Sequence, residues 1–282
     1  MKPQIFEQYE DEVHAWRDGM DANLRAKNSW LALYGLTWLE EGVTRLGSDP
    51  KNDILLPEDS APAFLGAIEH SPGKTFLTSE TEYAITLNGQ PIQHSLLTPD
   101  TSEDPSYLEI GSLRMVVIER GGLTGLRIWD NNRIERRTFS GRSWFPVDLE
   151  FQVQAEFKEH AAGKTIIIPS VQGEQEEVQS LGTVTFTLRD LEGHLEAMEA
   201  ADNGLFIIFK DSTCGATTYP AGRFLVSEEI MGSTVTLDFN RSYNPPCAFT
   251  AFATCPLPPE ENHLDFPVEA GEMYIPFGPM HS

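Results

Sequence analysis

Residues 183–189 read TVTFTLR, with Val184, Phe186 and Leu188 alternating against Thr183, Thr185 and Thr187. Successive side chains of a strand point to opposite faces, so this pattern specifies a strand with one buried and one solvated face. Similar runs surround it: LEFQVQAEF at 149–157, KTIIIP at 164–169, HLEAME at 194–199, LFIIFK at 205–210, TYPAGRFLV at 218–226 and STVTLDFN at 233–240. Strands of this number and spacing predict an antiparallel β-barrel or sandwich with a central cavity.

Toward the N-terminus a second set of short runs fills residues 41–129: VTRLG, DILL, AFLGAIEH, TFLT, YAITLNG, YLEIG, LRMVVIE and LTGLRIW, divided by Gly, Pro, Asn and Asp. Eight such runs with turn signals between them argue for an antiparallel sandwich rather than βαβ units. Before them, Ile5, Tyr9, Val13, Trp16, Met20 and Leu24 recur at steps of three and four, which puts them on one stripe of an α-helix that buries against its own domain. Trp30 to Leu39 leads into the first sheet. The expected organisation is therefore mainly β: a helix and lead-in segment over 1–40, a sandwich over 41–130, and a second β domain over 131–282.

The chain has 282 residues, 20 Lys plus Arg against 43 Asp plus Glu, and a net charge of −23. So acidic a surface repels a polyanion, which excludes nucleic acid as a partner and is read as a solubility device. No apolar run approaches the roughly 20 residues that cross a bilayer, and the first 30 positions lack a secretory layout. The expectation is a cytoplasmic protein with no membrane partner and no cofactor. Three cysteines, Cys214, Cys247 and Cys255, are an odd count and do not suggest a disulfide framework.

Two resemblances add to this reading. Arg45 to Pro57 (RLGSDPKNDILLP), Ile68, Leu87-Asn88-Gly89 and Leu108-Glu109-Ile110-Gly111 resemble the frame of a forkhead-associated domain, a β-sandwich that usually reads phosphothreonine. The phosphate-binding positions of that family fall on Ser48, Pro62, Ala63 and Leu65, none of which supplies a cation, so the resemblance implies a retained scaffold without phosphothreonine binding of the usual kind. WFPVD at 144–148, TYPAGRFL at 218–225, DFNRSYNPPCAF at 238–249 and ATCPLPPEEN at 253–262 resemble the uncharacterised prokaryotic family catalogued as domain of unknown function 1684. That resemblance implies a recurring polar constellation and no known reaction.

Residues 238–262, DFNRSYNPPCAFTAFATCPLPPEEN, are the strongest site candidate. Strand alternation puts Asp238 and Asn240 on one face, with Phe239 and Arg241 on the other. Asn244 precedes Pro245 and Pro246, which fix φ and remove backbone donors, so Cys247 sits at a rigid bend. Pro256, Pro258 and Pro259 make a second corner after Cys255.

Three readings compete. Cys247 is a nucleophile with His263 as base and Asp238 nearby, in a hydrolase or transferase, against an inert core thiol. Cys214, Cys247, Cys255 and His263 ligate zinc, although the spacing of eight between Cys247 and Cys255 departs from the usual two to four. Or Tyr219, Arg223, Asp238, Asn240, Arg241, Tyr243, Asn244 and Asn262 line a pocket for a small, anionic ligand, against a hydrogen-bonded network that pins a long loop. The ligand reading leads. The forkhead-associated-like region leaves a protein-interaction scaffold as a further alternative. Arg127, Arg133, Arg136, Arg137 and Arg142 form a local basic cluster, either an anion-facing rim or a neutraliser of nearby carboxylates.

Overall fold

A computed structural model of the chain describes residues 2–79, 85–171, 173 and 175–276. Tyr83 and Ala84 of the run at 83–89, Glu174 of the acidic loop 173–177, and His281 lie outside the described residues. The chain forms two compact units, one of Met1–Asn23 with Ser140–Ser282 and the other of Leu24–Phe139.

In the Leu24–Phe139 unit the strands are β1 (Leu33–Trp38), β2 (Gly42–Gly47), β3 (Ile54–Leu55), β4 (Gly66–Ser71), β5 (Lys74–Thr78), β6 (Thr86–Leu87), β7 (Gln90–Pro91), β8 (His94–Leu97), β9 (Tyr107–Ile110), β10 (Leu113–Arg120) and β11 (Leu123–Asp130). They form two sheets, in the orders β1-β11-β10-β9-β6-β7 and β3-β2-β4-β5-β8. Leu46, Ile68 and Leu77 of one sheet and Leu108, Met115 and Leu126 of the other share one buried core, which makes the unit a sandwich. Ser48 N–H donates to Pro62 O at 2.9 Å and Asp49 N–H to Ala63 O at 3.0 Å, so these segments are tied by backbone bonds. Leu65, at another of the expected phosphate positions, is wholly buried.

The other unit holds β12 (Gln152–Pro169), β13 (Gln175–Leu188), β14 (Leu191–Glu199), β15 (Leu205–Phe209), β16 (Arg223–Val226) and β17 (Thr234–Asp238). They form one antiparallel sheet in the order β16-β15-β14-β13-β12-β17. The sheet curls into a half-barrel, and beside its two edge strands Glu228 N–H donates to Thr236 O at 3.3 Å. Val184, Phe186 and Leu188 point into the curl, as their alternation requires. Instead of a central cavity, the interior packs Phe239 against Phe186 (ring centroids 5.2 Å) and against Phe209 (5.6 Å).

Helix α1 spans Lys2–Arg25. Tyr9 and Val13 are buried and pack with Val147, whereas Ile5, on the same stripe, is 63% exposed, so the apolar stripe extends beyond the docked face.

Candidate functional site

The site is built where α1 meets the end of β17. After Asp238 the chain turns into a short 3-10 helix, Phe239–Arg241, and does not continue as a strand. Asp238 and Asn240 do come together, but through this turn: Asn240 N–H donates to Asp238 Oδ1 at 3.1 Å and Asn240 Nδ2 to the same oxygen at 3.2 Å. The turn also corrects the expectation for Arg241, which returns to within 3.2 Å of Asp238 Oδ2 rather than pointing away, while Phe239 enters the core.

These residues clamp the helix. Tyr9 Oη donates to Asp238 Oδ1 at 2.9 Å and accepts from Asn240 Nδ2 at 2.8 Å. The Asn240 amide also donates to Asp148 O at 2.8 Å and accepts from Asp148 N–H at 3.0 Å, which ties down the WFPVD segment. Burial pushes the Asp238 carboxyl above the usual carboxylate range, against the donors from Tyr9, Asn240 and Arg241. Burial likewise pushes the Tyr9 hydroxyl up, and Asp238 adds to it. One turn beyond Val13, Arg17 donates to Phe145 O at 3.0 Å and to Asn240 O at 3.1 Å. Its guanidinium lies 4.8 Å from the Trp144 ring centroid, and Trp16 meets Trp144 edge-on at 5.7 Å.

Arg17 and Trp144 line a groove of about 420 Å³ along α1, together with His14, Asp18, Asp21, Arg142, Phe145 and Pro146. Behind Arg142 lies a recess of about 30 Å³, bordered by Asn244, Phe249, Glu272 and Tyr274 among others. Arg142 Nη1 donates to Glu272 Oε2 at 2.8 Å, and Asn244 N–H donates to the same oxygen at 2.8 Å. Burial pushes the Glu272 carboxyl up to about 7 although Arg142 and Asn244 favour its charge. Asn244 Oδ1 is buried with no hydrogen-bond partner among the described residues.

The remaining expected contacts serve the frame. Arg223 is fully buried and donates to Asp211 Oδ2 (2.8 Å), Val268 O (2.8 Å) and Ala270 O. Asp211 Oδ1 in turn accepts from Thr213 Oγ1 at 2.6 Å and Thr213 N–H at 2.8 Å. Asn262 donates to Glu196 O at 2.9 Å and Ile208 O at 2.8 Å and accepts from Glu196 N–H at 2.6 Å. It supplies backbone partners to β14 and β15, whose ladder is confined to Met198–Phe206 and Glu199–Leu205. Tyr219 donates to Cys247 O at 3.0 Å, and Tyr243 exchanges backbone bonds with Phe224. Neither Arg223 nor Asn262 lines the groove or the recess.

The cysteine readings separate. The Cys214 sulfur accepts from Thr218 Oγ1 at 3.7 Å, whereas Cys247 and Cys255 meet each other. His263 is exposed, and its backbone bridges Lys210. Among the described residues no hydrogen bond joins His263 to Cys247, and no group of three or more His, Cys, Asp or Glu side chains gathers as a metal site. The basic cluster separates too: Arg133 pairs with Glu135, Arg136 donates to Ala26 O and Asn131 O, and of the five arginines Arg142 alone reaches the groove.

Sequence reasoning missed Arg17, Asp18 and Asp21. A signal was present: Tyr9, Val13 and Arg17 stand at steps of four, so a charged side chain continues a buried row.

Fold and site define a β-rich protein whose N-terminal helix is clamped to a half-barrel by a buried polar cluster. Residues 137–273 match the model of the family described as protein of unknown function (DUF1684). It is 33% identical to an uncharacterized protein of Haloarcula marismortui known from a solution NMR structure, over 49% of this chain and 79% of that one, with a TM-score of 0.41. It is also similar to the FhaA forkhead-associated domain, solved in complex with an intracellular domain, at 15% identity over 33% of this chain and 96% of that one (TM-score 0.24). A forkhead-associated domain studied for phosphothreonine-dependent interactions aligns at 14% identity over 33% of this chain and 92% of that one (TM-score 0.24). No curated protein matches the chain. Among the described residues no helix is long and apolar enough to cross a membrane.

Proposed function

We propose that the chain binds a small monoanionic ligand, a carboxylate with an apolar or aromatic body, in the groove beside α1. The observation that carries this reading is Arg17. It is 5% exposed, and among the described residues no carboxylate lies within ion-pair distance of it. Two backbone carbonyls hold its guanidinium, and Asp238 favours its charge from a distance, but burial outweighs this and no described carboxylate pairs with it directly, so the site favours an incoming anion.

Trp144 offers the apolar wall, and Asp18 and Asp21 face the same groove. These carboxylates repel a multiply charged ligand more than a singly charged one, which favours a carboxylate over a phosphate. Arg142 is already paired with Glu272 and shapes the groove. Asp238, Asn240 and Arg241 hold the α1 wall, Asn244 borders the recess, and Tyr219, Arg223, Tyr243 and Asn262 support the frame. Benzoate and inorganic phosphate are suitable probes. Benzoate should raise the melting temperature progressively with the logarithm of its concentration, a stabilisation of about 2.7 kcal/mol at a hundredfold excess over Kd, and phosphate should do less. Asp18→Asn, an exposed change, should narrow that difference. Equal or absent responses to both probes would rule the reading out.

A further inference from the structure

Cys247 and Cys255 lie eight residues apart between two proline corners, Pro245-Pro246 and Pro256; Cys247 sits in the short 3-10 helix Pro246–Ala248, and the chain from there to Cys255 is turns and coil. Both backbone positions are anchored. Tyr219 Oη holds Cys247 O at 3.0 Å, and Val171 N–H donates to Cys255 O at 3.1 Å. Between these anchors the sulfurs converge: Cys247 N–H donates to Cys255 Sγ at 3.1 Å, and the two thiols hydrogen-bond each other. Their exposure is unequal, since Cys255 is 2% exposed and Cys247 is partly open to solvent.

We propose that Cys247 and Cys255 are a peroxide-oxidisable dithiol, in which Cys247 reacts first and Cys255 resolves it into an intramolecular disulfide. The Cys247 thiolate attacks one peroxide oxygen and the O–O bond breaks. Cys247 becomes a sulfenic acid, and the departing hydroxide takes up from solvent the proton that Cys247 released on ionising and leaves as water. The Cys255 sulfur then attacks the sulfenic sulfur, the S–S bond forms, the S–O bond breaks, and a second water leaves with the Cys255 proton. Two thiols thus lose two electrons and two protons to one peroxide molecule.

The surroundings favour this order. The hydrogen bond from Cys255 first, then that from Tyr219, brings the Cys247 thiol down to about 7 against the effect of burial. At neutral pH a substantial share is thiolate, and the thiolate is the nucleophile in both peroxide attack and exchange. No histidine base is required, which fits the exposed position of His263. Cys214 has no second cysteine as partner and serves as an internal reference. The proposal stands independently of the ligand reading.

The test uses the full reduced chain, treated with hydrogen peroxide, blocked with N-ethylmaleimide and digested with trypsin. Residues 242–282 contain no Lys or Arg, so one tryptic peptide carries both cysteines. The expected product is that peptide two hydrogens lighter and unblocked, restored by a dithiol reductant, with Cys214 still blocked. In Cys255→Ser, Cys247 should instead accumulate as a sulfenic acid trapped by dimedone, and in Cys247→Ser, Cys255 should stay blocked. Full blocking of both cysteines after peroxide, disulfide-linked dimers, or oxidation of Cys214 at the same rate would each overturn the proposal. The wild-type measurement decides even where a variant does not fold.

Discussion

Arg142 Nη1 donates to Glu272 Oε2 at 2.8 Å with both side chains withdrawn from solvent, 5% and 2% exposed, at the wall shared by the groove and its recess. The two residues are placed by one segment: Phe145 N–H donates to Gly271 O at 2.9 Å, Glu272 N–H to Ser242 O at 2.8 Å, and Met273 N–H to Ser143 O at 2.8 Å.

This pair predicts a pH dependence. Burial holds the Glu272 carboxyl at about 7, above its ordinary 4.5, so between those values the folded form binds more protons than the unfolded one. Stability therefore falls as pH rises through that window. Glu272→Gln should remove this part of the slope, so that its melting temperature gains on wild type from about pH 5 to pH 8. Parallel curves would contradict the assignment.

Glu196 carries the opposite sign. Burial disfavours its charge, but hydrogen bonds from Ser180, His160, Lys164 and Thr183 outweigh burial and hold it at about 2. Its contribution is present above its ordinary 4.5 and is lost as pH falls toward 2. Glu196→Gln should cost about 1–3 kcal/mol near neutral pH, measured by urea unfolding, with the deficit shrinking in acid.

Asp211 and Arg223 pair with both side chains wholly excluded from solvent. Removing one partner strands a buried charge, so Asp211→Ala should cost about 3–5 kcal/mol, whereas Asp211→Leu with Arg223→Met should recover part of that loss. The readout is the urea midpoint at constant m-value. A double variant no more stable than Asp211→Ala would show that the carbonyl contacts of Arg223, not its charge, hold the loop.

Two glycines should respond in opposite directions. Gly271 has φ +77° and a Cβ there would lie 2.0 Å from Ser242 Oγ and 2.5 Å from Ser242 O, so Gly271→Ala should destabilise by more than about 2 kcal/mol. Gly19, in the exposed face of α1, has nothing within 4 Å, and Gly19→Ala should stabilise by about 0.5–1 kcal/mol. Thermal unfolding of the two variants checks both signs.

Much of the fold was legible because its signals are local. The alternation at Val184, Phe186 and Leu188 and the row Tyr9–Val13 each follow from side-chain periodicity. The proximity of Asp238 and Asn240 was legible too, but for a reason that fails: a 3-10 turn, not strand alternation, joins them, and the same turn brings Arg241 back. The groove was not legible. It depends on Tyr9 meeting Asp238 across 229 positions and on Met1–Asn23 packing with Ser140–Ser282, and no local pattern encodes such a pairing. Arg223 looked like a ligand contact because buried and ligand-facing arginines share the same sequence context. The pair with Asp211 and the carbonyls of Val268 and Ala270, far along the chain, distinguish the two.

The central claim is a groove at Arg17 and Trp144 that takes a monoanion, and the indole N–H resonances of the five tryptophans test it most directly. On titration with benzoate, Trp144 and its neighbour Trp16 should shift with saturation while Trp30, Trp38 and Trp129 of the other unit stay fixed. All five moving together, or none moving at benzoate concentrations that leave the fold intact, would contradict it.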